Sequence, residues 1–191
     1  MTRHALTVRD ATPHDAAALI GLWGDVDRGI DASPAGHREA ATALAQIAAD
    51  PDERLVIGEV GGRAVAALHM RRGPIGPLTT ESAVHTTHLL VLPEFRRHGV
   101  AKMLLECAVA WAEEKGVTHV SAFVAGSSRE CNRFLARLGL ATVATIRVAP
   151  TSALRVTLNR MGPRGATPSS RQVGQVLAHR RSLRRRQAAE A

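Results

Sequence analysis

Short stretches of alternating apolar and polar residues are interleaved with longer stretches at helical spacing. Residues 6–8 read as a strand that ends at Asp10-Ala11-Thr12-Pro13. Thr12 as N-cap, Pro13 at the first helical position and Asp15 in the first turn predict a helix start. Ala16, Leu19, Ile20 and Trp23 then fall on one helical face. Residues 24–36 hold Asp, Gly and Pro and read as a loop. A second helix follows to about Ala49, with Ala41, Leu44, Ala45 and Ala48 as its apolar stripe and Asp50-Pro51 as its stop. Residues 55–60 and 64–70 read as strands joined by a Gly61-Gly62 hairpin turn. Residues 71–78 form a Gly/Pro loop, and residues 84–92 the next strand. The strongest helix runs from Gly99 to about Lys115, where Val100, Met103, Leu104, Cys107, Ala108 and Trp111 keep helical spacing without a miss. Gly116 closes it. Residues 117–124 read as a strand, and Ser127 or Ser128 caps a helix with Cys131, Phe134, Leu135 and Leu138 on one face and Gly139 as its stop. Residues 142–148 and 154–158 read as two last strands.

This order, β-α-α-β-β-β-α-β-α-β-β, is a mixed α/β pattern with one βαβα stretch in its second half. The length of 191 residues fits one domain, expected over residues 1–160, with an appendage over residues 161–191. No apolar run approaches the ~18 residues of a membrane span, and residues 1–15 lack the apolar core of a secretion signal, so a cytoplasmic protein without a membrane partner is expected. Cys107 and Cys131 form no CxxC pair, so neither a disulfide framework nor a metal site is expected. The formal charge of +8 is unevenly spread: residues 161–191 hold seven arginines and one acid, Glu190, which leaves the body nearly neutral. A basic nucleic-acid-binding domain is therefore not what the charge describes. Residues 161–170 have linker composition. Beyond them Val173, Val176, Leu177 and Leu183 fit a short Arg-rich helix, and Arg180-Arg181 with Arg184-Arg185-Arg186 offer an electrostatic contact for a polyanion.

The segment with the most chemistry is residues 89–102, LLVLPEFRRHGVAK. Here a strand ends at Pro93 and a long helix opens at Gly99. The first turn of a helix leaves N–H groups without intrahelical partners, and the helix dipole adds partial positive charge. Gly99 and Ala101 let a ligand approach that backbone, and Arg96, Arg97 and Lys102 add cationic groups that pair with phosphates. An anion site, sized for a pyrophosphate, is expected. The bare pattern Arg-x-x-Gly-x-[Gly/Ala] arises by chance about half a time per chain of this length; its position between a strand and a perfectly periodic helix makes it informative.

Over about residues 5–158, and most of all over residues 89–102, the chain resembles the GNAT superfamily of acetyl-CoA-dependent N-acetyltransferases. The segment is similar to that superfamily's motif A, hydrophobic-x-Val-x-Pro-x-x-[Arg/Gln]-x-x-Gly-x-[Gly/Ala]. The resemblance implies a mixed, mostly antiparallel sheet with a splayed parallel pair, residues 84–92 and 117–124, and flanking helices. It implies acetyl-CoA as acyl donor, with the backbone of Leu89, Leu90 and Val91 along the acetyl and pantetheine arm. The N–H groups around Arg96, Arg97, His98, Gly99, Val100, Ala101 and Lys102 would hold the pyrophosphate. Leu138-Gly139-Leu140 is similar to the Gly-Phe ending of the family's next helix. His85, eleven residues before Arg96, occupies the position where some members place the Glu or His that takes the amine's proton, and an imidazole suits that task near neutral pH. On a regular strand His85, Thr87 and Leu89 share one face, and Thr86, His88 and Leu90 the other. The competing reading of His85 is a hydrogen-bonded strand-end histidine. The acceptor implied is a primary amine on a small molecule or a protein, and relatives are usually homodimers.

Three residues depart from the family pattern. The chain contains no tyrosine; the position where members often carry a Tyr that protonates the CoA thiolate holds Leu135. Ser128 stands where Asn is common among CoA contacts, and Arg97 stands where Gly is commonest. Solvent, Ser128 or Cys131 are the substitutes for the missing acid, with Cys131 also readable as a buried inert thiol. Asp25, Asp27 and Asp31 in the first long loop would attract a cationic amine, and Glu81 lies near enough in sequence to assist His85. The missing Tyr and Asn favour a second reading, an acyl-CoA-binding regulatory or adaptor protein whose tail engages nucleic acid or a partner. A third makes the tail the working part of an RNA- or ribosome-associated protein.

Overall fold

A computed structural model describes residues 5–24, 30–124, 128–145 and 147–161 of the chain. Of the linker and Arg-rich helix expected over residues 161–191, all but Met161 lie outside the described residues, as do Asp25, Asp27 and Ser127. Residues 1–143 make one compact unit and residues 144–191 a second.

In the first unit, β1 (Leu6–Asp10), β2 (Glu53–Val60), β3 (Arg63–Pro74), β4 (Ser82–Val91) and β5 (His119–Ala122) form one sheet in that spatial order. The first four pair antiparallel, and β4 pairs parallel with β5. The hairpin turn between β2 and β3 uses Gly61 and Gly62 at φ 59° and 78°, the left-handed backbone glycine adopts without strain. β3 runs four residues beyond the expected Met70, carrying Arg71–Pro74 into register with the start of β4.

The two faces of the sheet bury different helices. A 3₁₀ turn (Pro13–Asp15), α1 (Ala16–Trp23) and α2 (Pro34–Ala49) cover one face, where Leu19, Leu22 and Leu44 meet Leu55, Ile57 and Ala67. The buried side of α2 is Gly36, Leu44 and the partly buried Ala40, Ala41 and Ile47, whereas Ala45 and Ala48 face solvent. The stripe is thus turned from the one expected, because Ile47 brings more apolar surface to the sheet than two alanines. On the other face α3 (Val100–Glu114) lays Val100, Leu104, Leu105, Ala108, Trp111 and Ala112 against Val56, Leu68, Met70 and Val84. Leu135 of α4 (Arg129–Arg137) completes that cluster.

The last two expected strands are corrected. Residues 142–145 and 147–150 carry no regular structure, and α5 (Thr151–Met161) is a helix where a strand was expected. Leu154, Val156 and Leu158 alternate as in a strand, yet Leu154, Leu158 and Met161 also recur at helical spacing; no residue of α5 is buried, so no core surface selected the strand period.

Candidate active site

β4 is longer than its parallel partner, and this difference makes the opening. The pairing covers Ala83–Thr86 against His119–Ala122. It closes with the Phe123 N–H donating to the Thr86 carbonyl at 2.8 Å and the Thr86 hydroxyl donating to the Ser121 carbonyl at 3.0 Å. Beyond Thr86, residues 87–91 of β4 keep β3 on one side and have no β5 partner on the other. Leu89, Leu90 and Val91 lie on this unpaired stretch.

The stretch is also bulged. Ala67 pairs with Leu90 and His69 with Thr87, so Leu68 of β3 faces two residues of β4, His88 and Leu89. His88 takes φ 54°, a left-handed backbone uncommon for a residue with a Cβ. The extra residue reverses the alternation. Leu89 packs in the α3 cluster and Leu90 in the α1–α2 cluster. His85 and Thr87 therefore share their face with Leu90 rather than with Leu89. The expectation that His88 points away from them is corrected as well: the His88 ring lies edge-on to Trp23 of α1 at 5.9 Å and 6.3 Å from the His69 ring.

The chain leaves β4 through a 3₁₀ turn (Pro93–Phe95) and enters α3 through Arg96–Gly99. Gly99 has φ 82° and Arg97 φ 66°. The left-handed Arg97 explains why glycine suits that position. Among the described residues, none of the N–H groups of Arg97, His98, Gly99, Val100, Ala101 and Lys102 has a hydrogen-bond acceptor, the first such bond of the helix being Met103 N–H to the Gly99 carbonyl. Six unpaired amides at the positive end of a 15-residue helix favour a bound anion. Beside them lies a cleft of about 630 Å³ lined by Arg97, Glu130, Arg133, Ala136 and Arg137. Arg133 and Arg137, one turn apart on α4, were missed in the sequence because nothing in it places that helix beside this loop.

The other cations near the seat are partly spent. Arg96 Nε donates to the Val91 carbonyl at 3.1 Å, and its guanidinium stands 3.7 Å from Glu130. It braces the loop against the end of β4. Lys102 Nζ donates to Glu106 at 2.6 Å along α3. Ser128 is the N-cap residue of α4 without a side-chain cap bond, and its carbonyl accepts from Asn132 N–H and Nδ2.

His85 stands in the paired part of β4. Its Nδ1 lies 2.7 Å from Ser121 Oγ and its Nε2 3.3 Å from the Pro74 carbonyl. A carbonyl only accepts, so Nε2 carries the proton and the neutral ring's Nδ1 accepts from the Ser121 hydroxyl. Ser121 is a partner the sequence did not reveal, because the β4–β5 register sets it. Glu81 does not join them: its backbone bonds Thr79 and Ile75 in the turn before β4. Asp31 is turned onto Ser33, whose N–H and hydroxyl both donate to it and hold its carboxyl below the usual range. Burial pushes the Cys107 and Cys131 thiols up, which keeps them protonated and poor nucleophiles. Leu135, at the expected Tyr position, is core.

A family model described as "Acetyltransferase (GNAT) family" matches residues 26–140. The chain therefore belongs to the GNAT acetyltransferase family. Solved structures agree on the fold. An aminoglycoside N-acetyltransferase, AAC(6')-Iy, in complex with CoA superposes with a TM-score of 0.65 at 16% identity, covering 78% of this chain and 96% of that one. The same enzyme with a bisubstrate analogue, CoA-S-monomethyl-acetylneamine, gives 0.63 at 17% identity, covering 76% and 97%. A glucosamine-6-phosphate N-acetyltransferase from Arabidopsis thaliana gives 0.64 at 16% identity, covering 77% and 99%. No curated protein matches the chain by sequence.

Proposed function

We propose that this chain transfers an acetyl, or another short acyl, group from CoA to a primary amine by direct attack of the amine. The observation that carries this reading is the row of unpaired amides, Arg97 to Lys102, at the start of α3 beside the unpaired half of β4. A diphosphate needs such donors, and Arg97, Arg133 and Arg137 line the adjoining cleft with positive charge suited to further phosphate. The similar structures whose names include CoA support the same donor, and the aminoglycoside enzyme supports an amine acceptor.

When bound, acetyl-CoA supplies the activated acyl group. The chain's own residues seat its phosphates on the α3 amides and offer the edge of Leu89, Leu90 and Val91, which lacks a β5 partner, to the arm that follows. Backbone donors fixed in this way stabilise charge as it develops on a carbonyl oxygen, because they need no reorganisation. His85 receives a proton from the amine through the Ser121 hydroxyl, whose own proton passes to His85 Nδ1. Ser121 then regains a proton from the amine, so the balance closes with one proton on the imidazole.

The test is release of CoA thiol from acetyl-CoA with a panel of primary amines, comparing the wild type with His85→Ala. Turnover with at least one amine, falling roughly 10²-fold in the variant, is expected. Turnover unchanged by His85→Ala removes His85 from the reaction. CoA binding without turnover for any amine replaces the enzyme reading with that of an acyl-CoA-binding adaptor.

A further inference from the structure

Four side chains from three strands form a continuous hydrogen-bonded chain that ends at the strand bulge. Glu53 Oε1 lies 2.7 Å from His69 Nε2, and His69 Nδ1 lies 2.9 Å from Thr87 Oγ1. Thr87 Oγ1 lies 3.0 Å from His88 Nδ1. The first three groups are partly buried; His88 is exposed at the edge of the β4 opening. The bulge is what brings the ring there, and the Trp23 indole N–H holds it by donating to the His88 carbonyl at 3.2 Å.

Hydrogen-bond chemistry gives this chain a direction. A carboxylate accepts, so His69 Nε2 carries a proton toward Glu53. In neutral His69 the Nδ1 lone pair then accepts from the Thr87 hydroxyl. The Thr87 oxygen, its proton spent, accepts in turn from His88 Nδ1–H. His88 is thereby held in the Nδ1–H form, with its Nε2 lone pair unprotonated. Among the described residues nothing bonds that Nε2.

The geometry points to His88 as a second proton acceptor for the acceptor amine, with Thr87, His69 and Glu53 as the positioning residues that draw the proton inward. This deepens the acyl-transfer reading and rests on it. An ammonium acceptor that becomes an amide sheds two protons; one balances the thiolate released from CoA and the other leaves to solvent. The His85–Ser121 pair accounts for one proton acceptance and His88 for the other. As His88 Nε2 takes a proton from the acceptor nitrogen, its Nδ1 proton passes to Thr87 Oγ1 and the Thr87 proton to His69 Nδ1. The chain ends with reversed polarity: His88 is neutral and protonated at Nε2, and His69 is an imidazolium facing the Glu53 carboxylate. No oxidant, reductant or further reactant is needed.

The experiment has two arms. In the first, nitrogen-15 NMR of the free full-length protein at alkaline pH, where imidazoles are neutral, reads the His88 tautomer. The expected spectrum shows Nδ1–H with an unprotonated Nε2. Thr87→Val converts His88 to the commoner Nε2–H form, and Thr87→Ser restores the wild-type spectrum. His88 protonated at Nε2 in the wild type, or a tautomer indifferent to Thr87→Val, overturns the proposal without reference to activity. In the second arm, acetyl-CoA turnover is measured with a polyamine, an aminoglycoside and a lysine peptide as acceptors. His88→Gln is expected to lower kcat about 10²-fold with KM nearly unchanged. Thr87→Val is expected to lower kcat less, and Thr87→Ser to recover it. A wild type that turns over beside a His88→Gln variant of equal kcat overturns the chain alone, whereas a wild type that releases no CoA with any of these amines overturns the acyl-transfer reading beneath it.

Discussion

Ser121 Oγ lies 2.7 Å from His85 Nδ1, across the short parallel seam between β4 and β5. The contact exists because Ser121 is in register with His85, one step before the seam ends. Ser121→Ala removes the hydroxyl that bonds the imidazole and that the proposed mechanism uses as a relay. It is expected to lower kcat about tenfold, less than His85→Ala, and the double variant is expected to fall no further than His85→Ala. Steady-state kinetics of the four-member cycle checks this; additive losses would mean that the two side chains act independently.

Arg97 occupies a left-handed backbone at φ 66° and lines the cleft below the α3 terminus. Arg97→Gly therefore separates two effects. Relief of left-handed strain, roughly 1–2 kcal/mol, matches or exceeds the extra chain entropy of glycine, roughly 0.5–1 kcal/mol, so stability is expected to hold or to rise by up to about 1.5 kcal/mol. CoA affinity is expected to fall several-fold at low salt, with the difference shrinking as salt screens the lost charge. Denaturant melts and calorimetric titration read the two separately. A variant that binds CoA as well as the wild type at low salt contradicts the role given to the cleft.

Asp15 ties the first helix to the sheet edge. Its carboxylate accepts from Thr12 N–H at 2.7 Å, from the Thr12 hydroxyl at 2.9 Å and from both ends of Arg9 at 2.8 and 2.9 Å, while Arg9 also bonds Glu59 at 2.7 Å. The Arg9 hydrogen bonds, above all, hold the Asp15 carboxyl well below the usual range. A depressed folded-state pKa contributes stability that is present above the ordinary Asp value, about 3.9, and is lost as pH falls below it. Asp15→Asn is expected to cost about 1–2 kcal/mol at pH 7. Its stability is then expected to decline less than that of the wild type between pH 5 and about pH 2. Parallel pH profiles would show that Asp15 is not the responsible group.

The periodic parts of this fold were legible. Val100, Leu104, Ala108 and Trp111 announced α3 and its buried face, and Gly99 marked the turn that opens that helix, because both signals are local in sequence. The face of His88 was not legible. A bulge adds one residue to an otherwise regular strand, and His88 takes a left-handed backbone with no glycine or asparagine to mark it. The partners of His85 and His69 were hidden for another reason: Ser121 and Glu53 lie 36 and 16 residues away and meet them only through strand register. One signal is present in the sequence, a histidine within the apolar strand VAALHM, where a polar group that becomes partly buried requires partners. At residues 154–158 a period of two and a period of 3.6 both fit, and a helix without buried residues gave the pattern no core face to point at.

The claim on which the site rests is that the amides at the start of α3 bind the diphosphate of CoA. Titration of nitrogen-15-labelled protein with CoA, following the backbone signals of Arg97, His98, Gly99, Val100, Ala101 and Lys102, tests it most directly. Saturable shifts concentrated on these six amides, with a matching rise in melting temperature, are the predicted result. Unmoved signals at saturating CoA, with no thermal stabilisation, would contradict it.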